Sequence, residues 1–230
     1  EADAFTRSSG LGGTQLSLSW QNLNTFRGSE FFKVSLLGSS EIRIGGKNES
    51  YKNIYRVGLA TQLNVPKFLA PFIKINPENS LVLPRTQFNL SYENFIKKGL
   101  YNINSAKGSI NYLWTKGDGV EHIFRPFSLN LVRSTNISEV FVDEIFTDPR
   151  LLSILENQFV VGGGYEILIN KSRNLKETFY YRGAVDFAGY SFGLIDKFKK
   201  NADNKGKMFG DFYSQFTRFE NDFRYKNQIS

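Results

Sequence analysis

Apolar and polar side chains alternate strictly along many segments of this chain. Between residues 15 and 20, the apolar Leu16, Leu18 and Trp20 occupy every second position, and polar residues stand between them. A period of two places each set on one side of a β-strand. The pattern recurs in residues 32–44, 55–65, 87–93, 107–115, 127–131, 159–169, 179–187 and 218–225. It therefore predicts about nine strands and an all-β, antiparallel fold.

Several of these segments are longer than the ~5–6 residues of a typical globular strand. They match the ~9–11 residues that a tilted strand needs to cross a bilayer. In a soluble sandwich the apolar face of such a strand packs on a second sheet. In an outer-membrane barrel it contacts lipid, and the polar face lines the lumen. Periodicity alone does not separate a soluble β-protein from a membrane barrel.

The aromatic residues favour the membrane barrel. They make up 15% of the chain, and several stand on the apolar faces near segment ends, namely Trp20, Tyr55, Tyr92, Trp114, Tyr181 and Tyr225. Aromatic girdles at the two membrane surfaces have this arrangement. The same faces lack charged residues, except where Arg125 and Pro126 precede Phe127. A lipid-facing charge costs ~2–4 kcal/mol at the midplane, so this depletion is expected of a barrel.

Residues 138–157 interrupt the strand pattern. Their apolar residues recur at helical spacing and predict two short helices, with Ser138 as an N-cap and the second helix starting at Pro149. The long connections (66–85, 134–158 and 196–211) do not all fall on one side of the predicted sheet. A missed strand or a bulge near residues 103–110, where the alternation slips by one position, would explain that irregularity.

Composition excludes several kinds of chemistry. The chain has no cysteine and one histidine, His122, which we expect in a loop or at a rim. Gly162-Gly163-Gly164 lacks a following Lys-Ser/Thr and continues into a strand, so a phosphate loop is not indicated. Glycines within a strand instead indicate a bend or a close approach of the backbone. We predict no catalytic residue, no cofactor and no metal site, and hence no enzyme.

Charged residues are expected to form ion pairs across strands. Arg182 and Asp186 share a strand face but lie ~13 Å apart, so each needs a partner on an adjacent strand. The net charge of +7 is spread along the chain, apart from a lysine cluster within residues 197–207. A solvated loop accounts for that cluster, and we expect no nucleic-acid partner.

Several segments are distinctive when taken in order: residues 14–24 followed by Phe26-Arg27-Gly28-Ser29-Glu30, then residues 85–92, 125–133 with 156–162, 181–189 and 215–225. In this order they resemble the barrel of the BamA/TamA-type outer-membrane insertase family. The resemblance spans nearly the whole chain. It implies a transmembrane barrel of about 16 strands preceded by POTRA domains, located in the outer membrane of a Gram-negative bacterium.

The resemblance also implies a function. Members of that family fold client β-barrel proteins into the outer membrane, or export substrates through it, with accessory lipoproteins or periplasmic subunits. Their first and last barrel strands pair poorly, so the seam opens and templates an incoming strand by β-augmentation. In this chain the lateral-gate strand would contain Thr14, Gln15, Leu16, Ser17, Leu18, Ser19 and Trp20.

The family's characteristic Arg-Gly loop motif and closing strand are not found in these residues. We therefore expect residues 1–230 to form the N-terminal portion of a transmembrane β-barrel domain, with a short helical insert at 138–157. Two other functions stay open: a passive outer-membrane channel or transporter barrel, and a soluble β-rich binding protein.

Overall fold

A single antiparallel sheet of ten strands dominates the structure, in the order β1-β2-β3-β4-β5-β6-β7-β8-β9-β12. The computed structural model describes residues 2–6, 11–43, 53–69, 83–117, 119–148, 151–152, 156–173, 177–189, 207–208, 211–212 and 215–227. The strands of the sheet are β1 (Ala2–Thr6), β2 (Leu11–Asn22), β3 (Phe31–Arg43), β4 (Ile54–Val65), β5 (Arg85–Lys97), β6 (Tyr101–Thr115), β7 (Val120–Thr135), β8 (Gln158–Arg173), β9 (Glu177–Ala188) and β12 (Phe216–Asn227). Two short strands, β10 (Lys207–Met208) and β11 (Asp211–Phe212), form a separate ribbon.

The prediction of an all-β fold with a short helix is confirmed. The nine predicted segments lie in the long strands β2–β9 and β12, which contain 12 to 16 residues each, except that residue 44 lies outside the described residues. The short strand β1 was not predicted. Among the described residues, β1 and β12 form the two edges of the sheet and do not pair with each other.

The register aligns the apolar positions of neighbouring strands. Leu18 pairs with Leu36, Leu36 with Leu59, and Leu59 with Tyr92. We call the side of the sheet that carries these residues the apolar face, and the other side the polar face. Large side chains of the apolar face remain exposed, including Leu90 at 63% and Phe219 at 74%. Two residues of this face in β8, Phe159 and Val161, are buried, and β11 of the short ribbon contacts β8. Within the described part of the chain, no larger sheet packs on the apolar face.

A β-bulge in β7 corrects the sequence analysis of residues 125–127. Ile110 pairs with Phe127 but Tyr112 pairs with Phe124, so two residues of β7 oppose one residue of β6. Proline cannot donate to a ladder and is tolerated at such bulges, which accounts for Pro126 here. The bulge puts Arg125 on the polar face, where it interrupts no apolar row.

This register shift, between Ile110 and Tyr112 of β6, is the bulge that the sequence analysis expected near residues 103–110. The long connections are still split between the two ends of the sheet. The β4–β5 connection leaves the sheet at the end opposite to the β7–β8 and β9–β12 connections.

One helix, α1 (Glu139–Thr147), packs on apolar residues of the polar face. Phe141 and Ile145 are buried against Leu100 and Tyr101. Ser138 caps the helix as predicted, because its Oγ accepts a hydrogen bond from Phe141 N at 3.3 Å. The second predicted helix falls largely outside the described residues. Within those residues no helix is long and apolar enough to span a membrane.

Candidate functional site: the polar face and the sheet edges

Arg182 in β9 joins three strands on the polar face. Its guanidinium donates to both carboxylate oxygens of Glu166 in β8, at 2.8 and 3.0 Å, and to Glu220 in β12 at 3.0 Å. The register explains this geometry, because Glu166 pairs with Ala184, which in turn pairs with Glu220. Both carboxylates are thus two residues from Arg182 along the strand and one strand away on either side.

Asp186 forms a second junction next to the first. One carboxylate oxygen accepts from Arg125 in β7 at 3.2 Å, and the other accepts from Arg218 in β12 at 2.7 Å. Arg218 also lies 3.3 Å from Glu220, which links the two junctions. The prediction that Arg182 and Asp186 have partners on adjacent strands is confirmed.

The chain of hydrogen bonds continues into the middle of the sheet. Arg125 Nε donates to Asn111 Oδ1 at 3.3 Å, and Asn111 Nδ2 donates to Gln87 at 3.1 Å. Together with the two junctions, these contacts connect β5, β6, β7, β8, β9 and β12. We call this set the polar network. Its opposite charges alternate, so each charged group has an oppositely charged or polar neighbour.

The glycine triplet allows the polar network to cross β8. Arg125 and Asp186 stand on either side of Gly164, which pairs with both of them. A Cβ at Gly164 would collide with the Asp186 carboxylate and lie 2.8 Å from Val185 O. A Cβ at Gly162 would collide with the β9 backbone at Phe187. The triplet is part of a strand and permits close backbone approach, as the sequence analysis expected.

The predicted lateral-gate strand lies in β2, beside the edge of the sheet. Strand β1 pairs with β2 from Ala2–Leu16 to Thr6–Gly12. Thr14, Gln15 and Leu16 are therefore covered by β1. Leu18, Ser19 and Trp20 lie beyond that register and pair with β3 on their other side. Ser17 stands between the two groups. The role of this strand as a gate stays a prediction.

An ordered turn follows β2. Glu30 Oε2 accepts hydrogen bonds from the backbone N–H of Phe26 at 3.2 Å and of Gly28 at 2.9 Å. Arg27 and Ser29 have positive φ angles of 65° and 64°. The backbone N–H groups of Glu30 itself and of Gly28 and Phe26, helped by the charge of Lys67, hold the pKa of Glu30 below its usual value.

His122 lies at the rim of the sheet beside the β6–β7 turn, one of the two positions that the sequence analysis expected, and not in a loop. It is the third residue of β7, and its ring stacks on Trp114 with centroids 5.1 Å apart. Its Nδ1 lies 2.6 Å from the hydroxyl of Tyr165 in β8. The residues next to His122 in the sequence do not indicate these contacts, because Tyr165 lies 43 positions away.

No group of three or more His, Asp or Glu side chains among the described residues is arranged to hold a metal ion. The carboxylates of the polar network are bound by arginines. The lysines at positions 197, 199, 200 and 205 lie outside the described residues.

Comparison with known proteins leaves the family open. No protein-family model matches the chain, and neither a curated protein nor a solved structure is significantly similar to it.

Proposed function

We propose that this chain forms part of a transmembrane antiparallel β-barrel in a bacterial outer membrane. The observation that carries the proposal is the apolar face, which nine strands of 12 to 16 residues form and on which many large apolar side chains are exposed in the described structure. Soluble monomers rarely expose contiguous apolar patches larger than a few hundred Å². Apolar surface in contact with water costs about 25 cal/mol of free energy per Å², and contact with hydrocarbon removes this cost.

The distribution of charge supports the same proposal. The charges of the polar network all lie on the polar face, where a water-filled lumen would solvate them. On the apolar face, the charged side chains that the structure describes are Arg133, Lys171 and Glu177. Each lies within two residues of the end of its strand. At those positions a long side chain reaches the membrane surface.

Adjacent residues on opposite faces provide a direct test. The chain has no cysteine, so Leu90→Cys and Ser91→Cys each introduce one labelling site in β5. We expect an environment-sensitive fluorophore at position 90 to be quenched by spin-labelled lipid acyl chains in vesicles containing the full-length protein. The same fluorophore at position 91 should be quenched by a water-soluble quencher. Equal lipid quenching at both positions, or none at either, would contradict the proposal.

Within the barrel proposal, we infer a role in inserting client β-barrel proteins by edge-strand templating. Support comes from the β1–β2 edge, where β1 covers only residues 12–16 of a 12-residue strand in the described structure. An incompletely covered edge offers backbone groups to an added strand. The partners would be outer-membrane lipids, client barrel proteins, and accessory lipoproteins or periplasmic subunits.

Two disulfide locks test the templating role. Asp3 pairs with Gln15 between β1 and β2, so the double variant D3C/Q15C would fix β1 in place. The control S19C/S35C would fix β2 to β3, where the two hydroxyls already lie 2.9 Å apart. We expect the first lock to slow folding of a client barrel into vesicles until it is reduced, and the second to have no effect.

The alternative is a passive channel or transporter barrel. If neither lock changes client folding, and the full-length protein conducts ions steadily in planar bilayers, the channel function replaces the insertase function.

A further inference from the structure

An aromatic cluster lies on the apolar face beside the β6–β7 turn. It consists of Phe68, Tyr112, Trp114, His122 and Tyr165. Trp114 and His122 are stacked, with ring centroids 5.1 Å apart, and Tyr165 donates to or accepts from His122 at 2.6 Å. Phe68 packs on Tyr112 with a centroid separation of 4.7 Å and edge-on against Trp114 at 5.9 Å.

The cluster is held by backbone contacts as well as by ring packing. Thr86 is fully buried, and its hydroxyl donates to Lys67 O at 2.8 Å and accepts from Leu69 N at 2.9 Å. The Tyr112 hydroxyl donates to Leu69 O at 3.2 Å. Residues 67–69, which follow β4, are therefore fixed over the apolar face, and this position places Phe68 against the two rings of β6.

Two lysines flank the cluster at the end of the strands. Lys116 begins the β6–β7 turn, two residues after Trp114, and its N–H donates to Val120 O at 2.9 Å. Lys171 in β8 lies against the same turn, because its Cγ is 3.7 Å from the position of a Cβ at Gly119. Both side chains are exposed, and neither is in an ion pair with a described residue. Glu121 stands on the polar face, because it alternates with His122.

We propose that Lys116 and Lys171 bind the phosphate of an anionic phospholipid whose glycerol and upper acyl chains lie on the aromatic cluster. This inference rests on the proposed membrane location. Aromatic rings such as Trp114 sit at headgroup depth in membrane proteins, where one side is apolar and the other is wet. Two ammonium groups at that depth, with no carboxylate partner among the described residues, match an anionic headgroup better than a zwitterionic one.

The two tryptophans of the chain make this site measurable. Trp20→Phe leaves Trp114 as the single tryptophan, and Trp114→Phe leaves Trp20. The full-length variants are reconstituted in phosphatidylcholine vesicles that contain an equal mole fraction of either brominated phosphatidylglycerol or brominated phosphatidylcholine. Bromine quenches only the tryptophans that contact the labelled lipid, so the ratio of the two quenching values reports lipid preference at each residue.

We expect brominated phosphatidylglycerol to be the stronger quencher of Trp114, and Trp20 to show no preference. Each basic residue at an anionic membrane surface contributes ~1 kcal/mol of binding free energy, which corresponds to about a fivefold change in affinity. Removing one lysine should therefore lower the local enrichment of phosphatidylglycerol about fivefold. K116Q/K171Q should therefore abolish the preference, whereas K107Q, on the polar face of β6, should retain it.

The possible results separate this inference from the proposed function. Quenching of Trp114 by both lipids to the same extent would overturn the phosphate site and leave the membrane location intact. A preference for phosphatidylglycerol that survives in K116Q/K171Q would also overturn it. Absence of quenching by either lipid would contradict the membrane location itself.

Discussion

Replacing Arg182 with glutamine removes the guanidinium that joins β8, β9 and β12. The variant loses three charge-assisted hydrogen bonds, two to Glu166 and one to Glu220. The side chains of Arg182 and Glu166 are 33% and 17% exposed, so this bidentate pair is partly shielded from water. The Glu220 side chain is 39% exposed and more strongly screened.

These exposures set the expected size of the effect. A shielded hydrogen bond to a charged group contributes about 1.5–3 kcal/mol, whereas an exposed ion pair contributes about 0.2–1 kcal/mol. The partly shielded pair with Glu166 should contribute near the lower end of the range for shielded bonds, and the pair with Glu220 should contribute as an exposed ion pair. We therefore expect R182Q to lower the free energy of unfolding by about 2 kcal/mol. Part of that loss comes from leaving Glu166 without its partner.

The assay is equilibrium unfolding of the full-length protein in urea, in phospholipid vesicles, followed by tryptophan fluorescence. Arg224 provides a control, because its ion pair is with Asp222 on its own strand and its side chain is 75% exposed. Its contact with the neighbouring strand is an approach to the Tyr180 ring at 5.6 Å, which contributes about 0.5–1 kcal/mol at an exposed site. R224Q should therefore lower the unfolding midpoint much less than R182Q. E166Q/R182Q should be less destabilised than the two single variants predict together. Equal midpoints for R182Q and R224Q would refute the idea that the cross-strand contacts stabilise the sheet.

Three further predictions concern other parts of the chain. G164A should destabilise the protein by about 1–3 kcal/mol, because the added methyl group collides with the β9 carboxylate of the polar network; G38A, with no atom within 4 Å of its Cβ, is the unfolding control. F141A should lower the free energy of unfolding by about 3–5 kcal/mol, because it leaves a cavity where α1 packs on the sheet. F146A should leave the free energy of unfolding unchanged in the same urea assay, because Phe146 is 82% exposed. Because the pKa of Glu30 is lowered on folding, its stabilisation of the β2–β3 turn is present above its usual pKa of 4.5 and is lost as the pH falls through the lower, folded pKa. The amide resonances of the turn should shift in that range, and should not shift in E30Q.

The long strands could be predicted because their two-residue period is a local property. Alternation fixes which residues share a face, and it also showed that Arg182 and Asp186 are too far apart to pair with each other. Their partners follow once the strands are placed side by side, since Glu166 and Glu220 occupy the facing positions. The expected role of the glycine triplet followed in the same way, from its position within a strand.

Features that depend on distant pairing were missed. Strand β1 has only five residues, Ala2–Thr6, and two alanines weaken its alternation. Its strand conformation depends on β2. The contact of His122 with Tyr165 also needs β7 and β8 to be adjacent. The bulge in β7 did have a local signal, because Arg125 and Pro126 interrupt an otherwise regular apolar row, but the register shift that follows appears only in the paired strands.

The two edges of the sheet constrain how a barrel would close. In hydrocarbon, each backbone N–H and C=O needs a partner, so neither edge can face lipid unpaired. Strand β12 has 12 residues and exposes Phe219, Phe223 and Tyr225 on its apolar face. Strand β1 has five residues, so pairing with β1 would satisfy less than half of β12. A barrel of the proposed kind therefore needs another strand of about the length of β12 along that edge. Cysteines placed along β12 in the full-length protein should form disulfides with such a strand. Disulfides with β1 alone would instead indicate closure of these ten strands, and would rule out the larger barrel that the family resemblance implies.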